Sequence, residues 1–78
     1  MYYVYILKNI TNNEKYIGYS MNLKERIKQH NKGQSKYTSV RGPYKLVWYS
    51  AFLEKEKALN FEKYLKSSSG FAFISKHF

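Results

Sequence analysis

A chain of 78 residues without a single cysteine has neither disulfides nor a thiolate-bound metal to hold it together, so its stability must come from a packed core. A domain this small buries only about 60–65% of the surface its unfolded chain exposes. The core must therefore be made of few, large side chains. The composition supplies them: 44% of the residues are hydrophobic and 19% aromatic, and each ring removes a large apolar area from water. The chain reads as one globular domain over residues 1–78, not as a disordered segment.

The charged residues are lopsided. Fourteen Lys and Arg oppose five Glu, with no Asp, for a formal net charge of +9. On so small a body that charge sets up a positive field that attracts phosphate backbones, although basic charge can also serve solubility alone. A membrane is the poorer partner. No segment of about 20 apolar residues appears, and no basic helix carries a strongly apolar opposite face. The opening Met1 to Lys8 lacks the basic start and small-residue cleavage site of a signal peptide, and a cytoplasmic location is expected.

Tyr3, Tyr5 and Leu7 alternate with Val4, Ile6 and Lys8, a strand apolar on both faces and therefore central in its sheet. Asn9 to Glu14 is turn chemistry, and Lys15 to Ser20 resumes strand composition, which predicts an antiparallel hairpin. Asn22 followed by Glu25 approximates a reciprocal capping pair, with Gly33 as a stop, so a first helix is expected over about Leu23 to Asn31. Gly33 to Pro43 reads as an exposed basic loop and Tyr44 to Phe52 as a third strand. A second helix is expected from about Glu54 to Lys66, ended by Ser67-Ser68-Ser69-Gly70. Phe71, Ile74 and Phe78 then suggest a short closing helix docked by its aromatic side. The order β-β-α-β-α-α gives an α+β fold, a three-stranded antiparallel sheet flanked by helices.

Two helices carry charge where a core face belongs. Leu23, Arg26, Ile27 and His30 share one side of the first helix, so Arg26 and His30 border the buried seam. There Arg26 is either a preorganised fork for phosphate oxygens or a side chain lying along the core edge against a glutamate. On the second helix Ala58, Phe61, Glu62 and Leu65 form one stripe, and a carboxylate in such a place needs a partner or a metal. Glu54 and Glu56 look instead like solvated first-turn acids. Without Asp or Cys, a divalent cation would find at most one or two glutamates and would keep much of its shell for water and substrate oxygens, as Mg2+ does near phosphates. A nucleophilic triad of the Ser-His-Asp kind is not available, and no Gly-rich phosphate loop is present. Tyr5 and Tyr16 stand out among nine tyrosines, because they lie on the paired strands next to the first helix. Near Arg26, lysines and a metal, their phenols are expected to shift toward the charged form.

These residues resemble the GIY-YIG nuclease family over nearly the whole chain. The first family tripeptide is matched loosely by Tyr3-Val4-Tyr5, with tyrosine in place of the leading glycine, and the second fully by Tyr16-Ile17-Gly18. Asn22 to His30 is similar to the family's first helix, with the catalytic arginine falling on Arg26 and a common His or Tyr position on His30. The metal-binding glutamate falls on Glu62, and Tyr64 to Phe73 is similar to the closing segment of small stand-alone members. Tyr19 stands where some members carry a lysine.

The resemblance implies a metal-dependent endonuclease that hydrolyses phosphodiester bonds in DNA, branched or damaged substrates of repair included, with one Mg2+ or Mn2+ held by Glu62. It implies Tyr5 or Tyr16 as general base, Arg26 as phosphate clamp, His30 as proton relay and Gly18 as a structural residue. Lys24, Lys28, Lys32, Lys36, Arg41 and Lys45 are the expected phosphate contacts, with Tyr37 free to stack on a base. Two other readings use the same residues: a nucleic-acid-binding adaptor without useful catalysis, and a protein-interaction module presenting Trp48 and the tyrosines, with a partner protein supplying the target.

Overall fold

The computed structural model of the protein describes residues 1–31 and 44–78. Strands β1 (Tyr2–Asn9), β2 (Lys15–Ser20) and β3 (Tyr44–Phe52) and helices α1 (Leu23–Asn31), α2 (Lys55–Leu65) and α3 (Ser68–His77) follow in the order β-β-α-β-α-α. The strands form an antiparallel sheet ordered β2-β1-β3, as the α+β reading requires. Among the described residues no helix is long and apolar enough to cross a membrane.

β1 is central because both its faces are apolar. Val4, Tyr5, Ile6 and Leu7 are all inaccessible to solvent, which happens only when each side of a strand is covered. One face, with Tyr5 and Leu7, packs with Tyr16, Tyr44 and Leu46 against Leu23 and Ile27 of α1. The other, with Val4 and Ile6, meets Ala58 and Leu65 of α2 and Ile74 of α3. Aromatic rings thicken that second layer: Trp48 lies 5.7 Å from Phe61 and 6.0 Å from Phe78, and Phe52 lies 5.5 Å from Phe61. A register shift in the β1–β3 pairing between Ile6 and Leu7 leaves Val47 without an opposite residue, a bulge that bends β3.

The β1–β2 turn is made by asparagines. Asn9, only 2% exposed, accepts through Oδ1 from the N–H groups of Thr11 (2.8 Å) and Asn12 (3.2 Å). Asn13 takes the left-handed conformation at φ 63°, which asparagine tolerates better than most residues. At the start of α1, Asn22 Oδ1 accepts from the Glu25 N–H at 3.2 Å. The reciprocal half of the expected capping pair is replaced: the Asn22 N–H goes to Ser20 Oγ at 2.9 Å.

The C-terminal segment departs from expectation. Ser67-Ser68-Ser69-Gly70 does not merely end α2; it also starts α3. Ser67 is the N-cap, accepting from the Gly70 N–H at 3.3 Å, the role serine fills best. Gly70 then lies so close to the backbone of Tyr64 and Leu65 that a Cβ there would collide with it. This close approach turns Gly70 and Ile74 inward as the buried residues of α3, with Phe78, four residues further on, partly buried. Phe71, expected to dock, is turned out and 70% exposed.

Candidate active site

Tyr5 and Gly18 face each other across the β1–β2 pairing. The Tyr5 ring lies over Gly18 so closely that any Cβ at residue 18 would overlap its ring and hydroxyl. Glycine is thus a requirement of space: β2 has to be bare where the phenol of β1 crosses it. Tyr16, one alternation earlier on the same face of β2, brings its ring centroid to 6.4 Å from that of Tyr5.

α1 lays its apolar side, Leu23 and Ile27, on this face, and the geometry of the helix brings half-buried Arg26 over the two phenols. The guanidinium donates hydrogen bonds to the Tyr5 and Tyr16 hydroxyls, and Nη1 donates to Gln29 Oε1 at 3.1 Å. Of the two readings for Arg26, the glutamate pairing is not what the structure has; phenols and an amide hold it. Gln29 was not singled out by its sequence, although its position three residues beyond Arg26 on the same helix is the spacing at which such a brace forms.

Among the protein's own groups, the electrostatics run against the shift expected for Tyr5 beside a metal. Burial pushes its phenol up from 10.0 to about 12, the Arg26 hydrogen bond pulls it back only in part, and the negative charge of Glu62 adds to the rise. The phenol is therefore held in its neutral form, because a fully buried oxygen loses more by giving up water than one guanidinium returns. Arg26 in turn is held more firmly protonated than an ordinary arginine, chiefly by its hydrogen bond to Tyr5.

Glu62 sits on the buried stripe of α2 between Ala58 and Leu65, its side chain 19% exposed and paired with Lys66 at 3.1 Å, one helical turn on. Its influence on Tyr5 places it in the same electrostatic neighbourhood. Among the described residues no three His, Cys, Asp or Glu side chains come together, so a cation held by Glu62 would have few protein ligands. That donor set suits a hard cation that keeps most of its water and not a soft or tetrahedral metal.

The remaining candidates fall on either side of what is described. Lys24 and Lys28 are exposed on α1 and Lys45 is exposed on β3. His30 lies in the last turn of α1, but its side chain is outside the described residues, as are Lys32, Lys36, Tyr37 and Arg41.

The GIY-YIG catalytic domain family matches residues 1–73. A UPF0213 protein of Clostridium perfringens is 48% identical over 67 residues, covering 85% of this chain and 71% of that protein. Another, of Pediococcus pentosaceus, is 36% identical over 80 residues, covering 97% and 83%. The solution NMR structure of a UPF0213 protein from Bacillus halodurans is similar with a TM-score of 0.59 at 38% identity, covering 97% of this chain and 84% of that one. The match begins before Tyr5 and ends within α3, so the crossing of Tyr5 over Gly18, the arginine above it and the carboxylate of α2 all lie inside it: the chain belongs to the GIY-YIG family.

Proposed function

We propose that the protein is a metal-dependent endonuclease that hydrolyses phosphodiester bonds in DNA. The observation that carries this reading is Arg26, a permanently charged fork held over two phenols on a strongly basic molecule. A guanidinium so placed offers N–H donors to phosphate oxygens and stabilises the charge they gain in the transition state.

Of the two phenols, Tyr16 is the better general base. It is half-buried and can meet water, whereas Tyr5 is closed off and held neutral. Tyr16, acting as its phenolate, takes a proton from the attacking water and becomes the phenol, while the water oxygen bonds to phosphorus as the bridging P–O bond breaks. Tyr5 keeps its proton and fixes Arg26 in place. His30, by family resemblance, relays a proton to the leaving oxygen. A divalent cation, Mg2+ or Mn2+, held by Glu62 would supply neutralisation of charge on the scissile phosphate.

One observation favours a second reading. Glu62 is already paired with Lys66, so a cation has to compete for it, as expected of a nucleic-acid-binding module with weak catalysis. Incubation of the purified protein with plasmid, branched DNA and RNA, with and without Mg2+ or Mn2+, separates the two. The nuclease reading expects nicking that depends on the metal and that Glu62→Gln lowers by about a hundredfold or more. Full activity of Glu62→Gln in Mg2+ would remove Glu62 from the metal; no cleavage of any substrate, with DNA binding intact, would favour the binding module.

A further inference from the structure

Between the start of α1 and the sheet lies a pocket that the cleavage chemistry does not use. Its volume is about 390 Å3, and its walls are Tyr3 of β1, Tyr49 of β3, and Met21, Lys24, Leu23 and Ile27 at the start of α1. Pockets that take small organic molecules run from about 300 to 1,000 Å3. Tyr49 is the register partner of Tyr5 and Tyr3 lies two residues before Tyr5 on the same face, a step of about 7 Å along a strand. The pocket therefore lies on the same face of the sheet as Tyr5, about two base steps along at the 3.4 Å rise of a stacked strand.

Its lining is aromatic and open. The Tyr3 and Tyr49 rings meet at 59° with centroids 6.1 Å apart, forming a corner in which a flat ligand stacked on one ring presents its edge to the other. Tyr49 is 52% exposed and Met21 65% exposed, so the protein's own core leaves these apolar surfaces uncovered. Lys24 adds a cation at the rim, and the molecule as a whole carries +9. Flat apolar faces next to positive charge match a nucleobase attached to a phosphate backbone.

We propose that this pocket receives an unpaired nucleobase about two nucleotides from the scissile phosphate, so that the protein selects DNA with a base free of its partner over fully paired duplex. The proposal rests on the reading that the protein acts on DNA. Aromatic stacking has no preference among bases, because each has a π face; the selection is for an unpaired nucleotide and not for a sequence.

The test measures binding without divalent metal, so it does not depend on cleavage. Three short fluorescein-labelled duplexes serve as probes: fully paired, with one extra unpaired adenine, and with an abasic residue in that extra position. Fluorescence anisotropy should show the parent binding the adenine bulge about tenfold more tightly than either of the others, the scale of a stacked base. Tyr49→Ala should bring the three affinities together, Tyr49→Phe should keep the preference, and Met21→Gln should reduce it. Comparable parent affinities for all three probes, or a preference retained in Tyr49→Ala, would overturn the pocket while leaving DNA binding intact. A parent that bound none of the probes would overturn the DNA reading and the pocket with it. A Tyr49→Ala protein that kept the preference but changed its oligomeric state would show that a second copy of the chain sits there instead.

Discussion

Arg26 is tied at both ends of its guanidinium before any phosphate arrives, to the phenols on the sheet and to Gln29 on its own helix. That restraint is what a clamp needs, since the entropy of a long side chain is spent in folding and not again in the transition state. Arg26→Ala should lower the cleavage rate about a hundredfold, on the order of 3 kcal/mol of transition-state stabilisation. It should cost about 1–3 kcal/mol of stability, because the buried Tyr5 hydroxyl loses its donor. Arg26→Lys should recover little of the rate, since an ammonium lacks the fork. Steady-state kinetics beside a denaturant titration reads both quantities, and a folded Arg26→Ala protein cutting at the parent rate would take the clamp away. The residue scale is also where sequence reading failed for Tyr5. Its nearness to a cation was legible in the spacing of strand and helix and its depth in the apolar run of β1, but not which of the two outweighs the other, and burial decides the direction. A phenol raised from 10.0 to about 12 binds its proton more tightly folded than unfolded. The stability that this contributes is full below pH 10.0 and is lost as pH rises through about 12. Melting temperatures across that window should fall more steeply for the parent than for Tyr5→Phe; equal slopes would mean that Tyr5 is not the group being strained.

Among elements, those whose pattern is set by burial were readable, and those set by backbone contact were not. The run Val4 to Leu7 announces a strand covered on both sides because no alternation of polar and apolar residues interrupts it, and β1 lies in the middle of the sheet. Arg26 and Glu62 stood out for a related reason, a charge on a stripe that should be apolar. The closing helix was legible, but its start and its docked face were not, because serine and glycine have two meanings: they stop one helix and cap the next. Only the crossing of α2 and α3 at Gly70 decides between them, and that contact is between residues of different elements. The asparagine turn gives a direct test of how local chemistry holds an element. Asn9→Ala removes the acceptor for two turn N–H groups at a residue 2% exposed, which should cost about 1–2 kcal/mol. A lower denaturant midpoint with an unchanged m-value is the expected result; an unchanged midpoint would mean that water replaces the side chain.

Over the whole molecule the charge is not spread evenly. Residues 23–45 hold seven Lys and Arg against one Glu, six of the nine net positive charges. α2 with its two flanking residues, by contrast, sets four lysines against three glutamates. α1 and α2 pack on opposite faces of the sheet, so the basic stretch begins on the same face as Arg26 and its phenols. Of these charges Lys24, Arg26 and Lys28 stand on α1 and favour a polyanion on that face, while α2, whose charges nearly balance, contributes the carboxylate of Glu62 and little net field. Salt dependence can test the assignment, because each phosphate neutralised on duplex DNA contributes about 0.9 to the slope of log affinity against log salt. Replacing Lys24 and Lys28 together by Gln should reduce that slope by up to about 2, at little cost in stability, since both side chains are exposed. Replacing Lys55 and Lys63, exposed on α2, should leave the slope within about 0.3 of the parent's if they contact no phosphate. Equal losses from the two pairs would show that the charge acts as a diffuse cloud, and DNA would then have to be placed by Arg26 and the pocket at Tyr49 instead of by a track along α1.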